Sequence, residues 1–117
     1  MGHANLQDAK LERADLNHAE LFKANLTGAI LADAKLGYIN LREANLSTAK
    51  LTRADLNHAC LQSANLTESA LIRAYLARAD LSGANLSRAN LFGAELSSAT
   101  LVRVIFADTT MPDGRIS

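Results

Sequence analysis

The 117-residue sequence contains one cysteine, one proline, no tryptophan and few aromatic side chains, and its 12 Lys+Arg are balanced by 12 Asp+Glu. Each shortage excludes something. Cys60 alone cannot close an intramolecular disulfide, and Cys and His nowhere cluster at the spacing of a zinc module. A balanced charge supplies neither a basic footprint for phosphate backbones nor an acidic surface that imitates them. Nucleic acid is therefore not an expected partner, and neither is a membrane. No apolar run approaches the roughly 20 residues of a membrane-spanning helix, and the N-terminus lacks a basic-then-apolar leader pattern. The expectation is one cytoplasmic domain over residues 1–117, with no cofactor and no metal.

What the sequence does have is leucine at a fixed interval. Leu occupies every fifth position from Leu6 to Leu101, 20 sites in all, and occurs nowhere else; Phe106 and Met111 continue the phase. Two residues before each Leu stands Ala in 18 of those 20 cases, the exceptions being Ile39 and Ser69. The repeating unit is A-x-L-x-x.

A period of five suits neither regular element. On an α-helix, successive Leu residues would step around the axis by about 140° and never form a stripe. On a flat strand an odd spacing would send every second Leu into solvent. Ala and Leu two apart do share one face of an extended segment, which leaves two residues to turn the chain before the next pair. Repetition of that unit predicts a right-handed solenoid of short parallel strands. The residue before Leu is Asn5, Asn25, Asn45, Asn65 and Asn85 at steps of twenty, and LERADLNHAEL at 11–21 recurs as LTRADLNHACL at 51–61. Four pentads per coil follow, giving about five coils over residues 4–110 and a rod of roughly 25 Å at strand spacing. The sides are numbered here by their first Leu: Leu6, Leu11, Leu16 and Leu21 open sides one to four.

The pentads ANLTG, ADLNH, ANLSR and AELSS resemble the pentapeptide-repeat family, A-(D/N)-L-x-x, over about nine tenths of the chain. The resemblance implies an all-β, right-handed quadrilateral parallel β-helix. The terminal TTMPDGRIS resembles the tails of cyanobacterial members.

Within the solenoid, Ile39 asks for extra volume and Ser69 places a hydroxyl inward, where it needs a backbone partner. The Asn5–Asn85 column is expected to be a structural ladder, with its amides hydrogen-bonding coil to coil. On side three the column Asp15, Lys35, Asp55, Tyr75, Glu95 suggests exposed ion pairs one coil apart. Gly28, Gly83 and Gly93 all fall two beyond a Leu, where the corner demands an unusual φ.

No catalytic residue is assigned. His18 and His58 share a column but stand two coils apart, too far for one metal ion. Cys60 has no His in its column or pentad to activate it. Function must then reside on surfaces. Ile30, Ala70, Ile72 and Phe92 form a candidate partner face on side two. Val102, Ile105 and Phe106 form a candidate C-terminal cap or homodimer surface, and Pro112-Asp113-Gly114 reads as a terminating turn in a cap segment, 111–117. Only Met1, Gly2 and His3 precede the first repeat, so the N-terminal edge is expected to be uncapped. The expected function is that of a non-enzymatic scaffold presenting flat faces to a protein partner. The alternative implied by the resemblance is a DNA-mimicking protein that binds gyrase; neutrality, shortness and the lack of long loop insertions weigh against it.

Overall fold

The computed structural model describes residues 3–117, so of the segment before the first repeat only His3 is covered. Every residue two beyond a Leu, from Asp8 to Arg103, has a positive φ. The next residue's N–H closes a turn onto the Leu carbonyl, as Ala54 does onto Leu51 at 3.0 Å. A four-residue turn with its third residue in the left-handed region is a type II turn. The glycines Gly28, Gly83 and Gly93 sit at this position as expected, but Arg, Glu, His and even β-branched Thr48 adopt the same φ without glycine's freedom. The conformation is imposed by the coil and not by the local residue, and ladder bonds on both sides of each turn offset its cost.

Between turns, the residue before each Leu bridges in parallel to its counterpart 20 positions later, as in Asn5↔Asn25 and Asp55↔Tyr75. From Leu6 to Leu91 each Leu N–H donates to the carbonyl 19 residues ahead, and from Asn25 to Thr110 each bridging residue's N–H donates 21 residues back: Leu56 to Tyr75 at 2.7 Å, Asp55 to Ala34 at 2.9 Å. The strands anticipated from sequence are thus reduced to isolated one-residue bridges, because only about three residues lie between corners. Four such flat segments complete a coil.

One amide per pentad, that of the residue just after Leu, has no backbone acceptor among the described residues. In ten of the turns an Asn or Asp side chain two positions earlier supplies one. Asn5, Asn25, Asn45, Asn65 and Asn85 each accept from the N–H two residues on, at 2.9–3.2 Å. The column is therefore not a coil-to-coil amide ladder, since each carbonyl oxygen is spent on its own turn; the Asn25 Nδ2 bond to Gln7 Oε1 at 3.4 Å does cross coils. Asp15 and Asp55 do the same for Asn17 and Asn57, which explains why the side-three ion pairs do not form. Where the bridging residue is Lys35 or Tyr75, Asn17 or Asn57 of the preceding coil reaches up instead, to Gly37 at 2.7 Å and Ala77 at 2.9 Å. The D/N of the repeat is thus a turn cap.

Inside, Leu and Ala from residue 24 to residue 91 are essentially sealed from solvent. Ile39 is buried with them, and its turn bond to Leu36 stretches to 3.3 Å against 3.1 and 3.0 Å at the neighbouring corners of Ala34 and Ala44, a small local widening. Ser69 is buried in an Ala column, but its Oγ has no hydrogen-bond partner among the described residues, contrary to the expected backbone contact. Ser69→Ala should therefore raise stability by about 1–2 kcal/mol, since it removes an unsatisfied hydroxyl and restores the column residue. A melting temperature at or below that of the wild type would contradict this.

At the C-terminal end, Thr109 and Thr110 start a sixth strand on side two. Thr109 Oγ1 donates to Leu86 O at 2.7 Å in the buried interior. The chain then turns through Met111–Gly114, with Gly114 at φ 88°, and returns so that Ile116 bridges Thr110 in antiparallel. Pro112 and Gly114 therefore bend the tail back onto the coil instead of away from it. The added strand contributes to a long axis of 35 Å, above the length expected from coil count.

Candidate functional site

With the interior filled by Leu and Ala, chemistry is confined to the outward columns. The corner column of side three stacks His18, Tyr38 and His58, with centroid separations of 5.1 and 4.5 Å and planes within 5° of parallel. The two imidazoles lie on opposite faces of the Tyr38 ring. This aromatic stack was legible only as a shared column; its parallel ring contact comes from strand-spaced corners with identical φ. Among the described residues no three His, Cys, Asp or Glu side chains converge on a point where a metal ion would sit.

Ion pairs occupy corner columns instead of the bridging column on side three. Arg53 grips Asp33 with two bonds, 2.9 and 3.1 Å, across one coil. Arg88 meets Glu68 at 3.1 Å and Lys23 meets Glu43 at 3.8 Å in the same way. Long side chains on adjacent coils reach one another there, whereas the short carboxylates of the bridging column fold onto their own turns. The Arg53 guanidinium, chiefly by hydrogen bonding, holds the Asp33 carboxyl below its ordinary pKa, and Asp33 in turn raises that of Arg53. Asp80 is also held low, by the Ser82 hydroxyl first, with the Gln62 amide and Ser82 N–H adding to it against partial burial. Cys60 lies half-buried between Asn40 and Asp80 in its column.

On side two, Ile30, Ala70 and Ile72 are half-buried, and Phe92 is 47% exposed. Gly114 of the returning tail lies beside the Phe92 ring, within reach of a methyl group at 3.6 Å. At the C-terminal end, Val102 and Ile105 are 51% and 50% exposed, while Phe106 packs against the core. Leu101, in core phase, is also 37% exposed, a consequence of lying in the last coil. On side four, Phe22 lies under Lys23 Nζ at 5.3 Å and the Arg42 guanidinium at 5.7 Å, a pair of cation–π contacts that the sequence reading did not single out.

Parallel bridges at a 20-residue interval, a type II turn every five residues and an Asx cap on most turns define a four-sided parallel β-solenoid. Pentapeptide repeats are recognised in eight copies over residues 1–37, 29–67 and 70–108. The chain belongs to the pentapeptide-repeat family. Among solved structures it is similar to the pentapeptide-repeat protein Rfr23 from the cyanobacterium Cyanothece 51142, with 28% identity over 98% of this chain and 88% of that one, and a TM-score of 0.58. A pentapeptide-repeat protein from Nostoc PCC 7120 is 33% identical, covering 73% of this chain and 68% of that one, with a TM-score of 0.55. A third, from the thylakoid lumen of Arabidopsis thaliana, shares the fold at 23% identity over 84% of this chain and 67% of that one, with a TM-score of 0.51. No curated protein matches the sequence. No helix among the described residues is long and apolar enough to cross a membrane.

Proposed function

We propose that this chain is a non-enzymatic, cytoplasmic scaffold whose right-handed quadrilateral solenoid presents side two to a protein partner. The observation that carries this is Phe92, a large aromatic ring left nearly half exposed on a rigid face, in line with half-buried Ile72 one coil below. An aromatic on a pre-ordered surface is a low-entropy anchor for a partner. The partner is apolar at its contact point, because the neighbouring outward positions Ile30 and Ala70 are apolar as well. The gyrase-directed alternative is not favoured, since the corner columns pair charges of both signs, as in Asp33 with Arg53 and Glu68 with Arg88, and build no acidic array.

The test is cross-linking in the native host followed by mass spectrometry, with wild type and Phe92→Lys in parallel. The wild type should capture a specific protein that Phe92→Lys loses by about tenfold or more, the scale of a central anchor. Identical capture by the two proteins would remove side two from the function.

A further inference from the structure

The hydrogen-bond register that joins coils does not stop at the last one. On side three, Leu76 N–H donates to Glu95 O at 2.8 Å and Glu95 N–H to Ala74 O at 3.0 Å; on side four, Leu81 and Thr100 repeat the pattern with Thr100 and Ala79, both at 2.9 Å. One coil further on, Leu96 and Leu101 N–H have no acceptor and Ala94 and Ala99 carbonyls no donor among the described residues. At the opposite end, Asn5, Lys10, Asp15 and Glu20 are the complement: neither their backbone N–H nor their backbone carbonyl groups are paired among the described residues. A second copy placed end-on and rotated by half a turn about the long axis would thus pair Leu96 with Asn5, Leu101 with Lys10 and the side-two edge with Glu20 in the register that holds the coils together, its first strand following the last strand of this chain. Exposed Leu101 would then gain the Leu neighbour its phase calls for.

Side two breaks this continuity. By phase, Met111 N–H and Thr109 carbonyl are the groups that would receive the next coil, just as Leu91 N–H and Ala89 O receive Thr110 at 2.7 and 2.9 Å. The tail consumes both, with Met111 N–H donating to Arg115 O at 2.7 Å and Ser117 N–H to Thr109 O at 2.9 Å. Ile116 thereby occupies the place of the strand that a second copy would bring, and it runs in the wrong direction to be extended by a parallel one. Gly114 at φ 88° permits the reversal.

We propose that the 109–117 hairpin is an assembly lock: it fills one of the four edges and so prevents the first coil of a second copy from stacking head to tail on the last coil of this one. Such stacking is heterologous and would continue into rods without end.

Sedimentation of the full chain, and of a variant ending at Thr110, over a wide range of concentration tests it. The full chain should keep one size. The shortened variant should at least double its average mass as concentration rises, about twofold marking the first stacking step. Glu20→Pro in the shortened variant should abolish that growth, because proline removes an edge N–H that the monomer does not use and places its ring where the neighbouring strand would lie. If the shortened chain does not fold, judged by circular dichroism, Gly114→Val keeps every residue while opposing the reversal, and the same comparison with Glu20→Pro applies. A folded, unlocked variant of unchanged size overturns the proposal. Growth that persists with Glu20→Pro also overturns it, since association would then run through paired C-terminal ends or unspecific apolar contact, and so does stacking by the full chain itself.

Discussion

Leu56→Asp is expected to unfold the protein or to cost roughly 5 kcal/mol or more. Leu56 is fully buried at the centre of side three, its N–H bonded to Tyr75 O at 2.7 Å. Truncating a buried Leu costs about 2–5 kcal/mol by itself. A carboxylate at the same place adds a desolvated charge, and the surrounding columns are Leu and Ala with no group to pair it. Against a typical total stability of about 5–15 kcal/mol, little or nothing remains. Asn57→Asp, one residue on, should be nearly silent, because a carboxylate oxygen replaces the amide oxygen as acceptor for Ala77 N–H. Thermal melting of the two variants gives the answer, and comparable melting temperatures would mean that the inward phase has been misassigned.

Proline should have opposite effects at adjacent turn positions. Thr52 is the second residue of its turn, follows extended Leu51, and its N–H has no acceptor among the described residues. Thr52→Pro therefore loses no hydrogen bond, suits the φ of a type II turn at that position, and should stabilise by about 0.4–1 kcal/mol through the unfolded chain. Arg73, third in the equivalent turn one coil on, has φ 57° and donates to Phe92 O at 2.8 Å. Arg73→Pro forces φ near −65° and deletes that bond, so a loss of about 3 kcal/mol or more is expected. Urea unfolding midpoints should move apart; a shift of both in the same direction would refute the turn assignment.

The inward phase, the four-sided coil and the identity of the core were readable because Leu at a five-residue interval is compatible with few backbones, and the Asn column at twenty residues counts the sides. Ile39 and Ser69 were recognisable as exceptions for the same reason, and so was the apolar stripe through Ile72 and Phe92. Corner φ was anticipated at three glycines alone, since glycine is the residue that advertises it; Arg53 and Thr48 adopt the same conformation without any local signal.

What pattern alone misjudged were side-chain partners. Asn25 and Asp15 were aligned correctly with their coil neighbours, yet alignment does not say which amide is left without a carbonyl. That was decided by closure of the coil, where the 19- and 21-residue register and the turn bond of Ala to Leu serve the backbone N–H groups of a central pentad except the one after Leu, so the short Asx side chain turns to it and is lost to coil-to-coil bonding. Ion pairs moved to the corners for the complementary reason, as Arg53 and Arg88 are long enough to span one strand spacing. The tail shows the same division: Pro112 and Gly114 announced a reversal, but its landing on Thr110 followed from an open edge on side two, a property of the stacked coils that no segment of the sequence carries by itself. Local sequence determined where each residue points, because that depends on its own phase; the tertiary structure decided what it meets, because every neighbour across the ladder lies about twenty residues away.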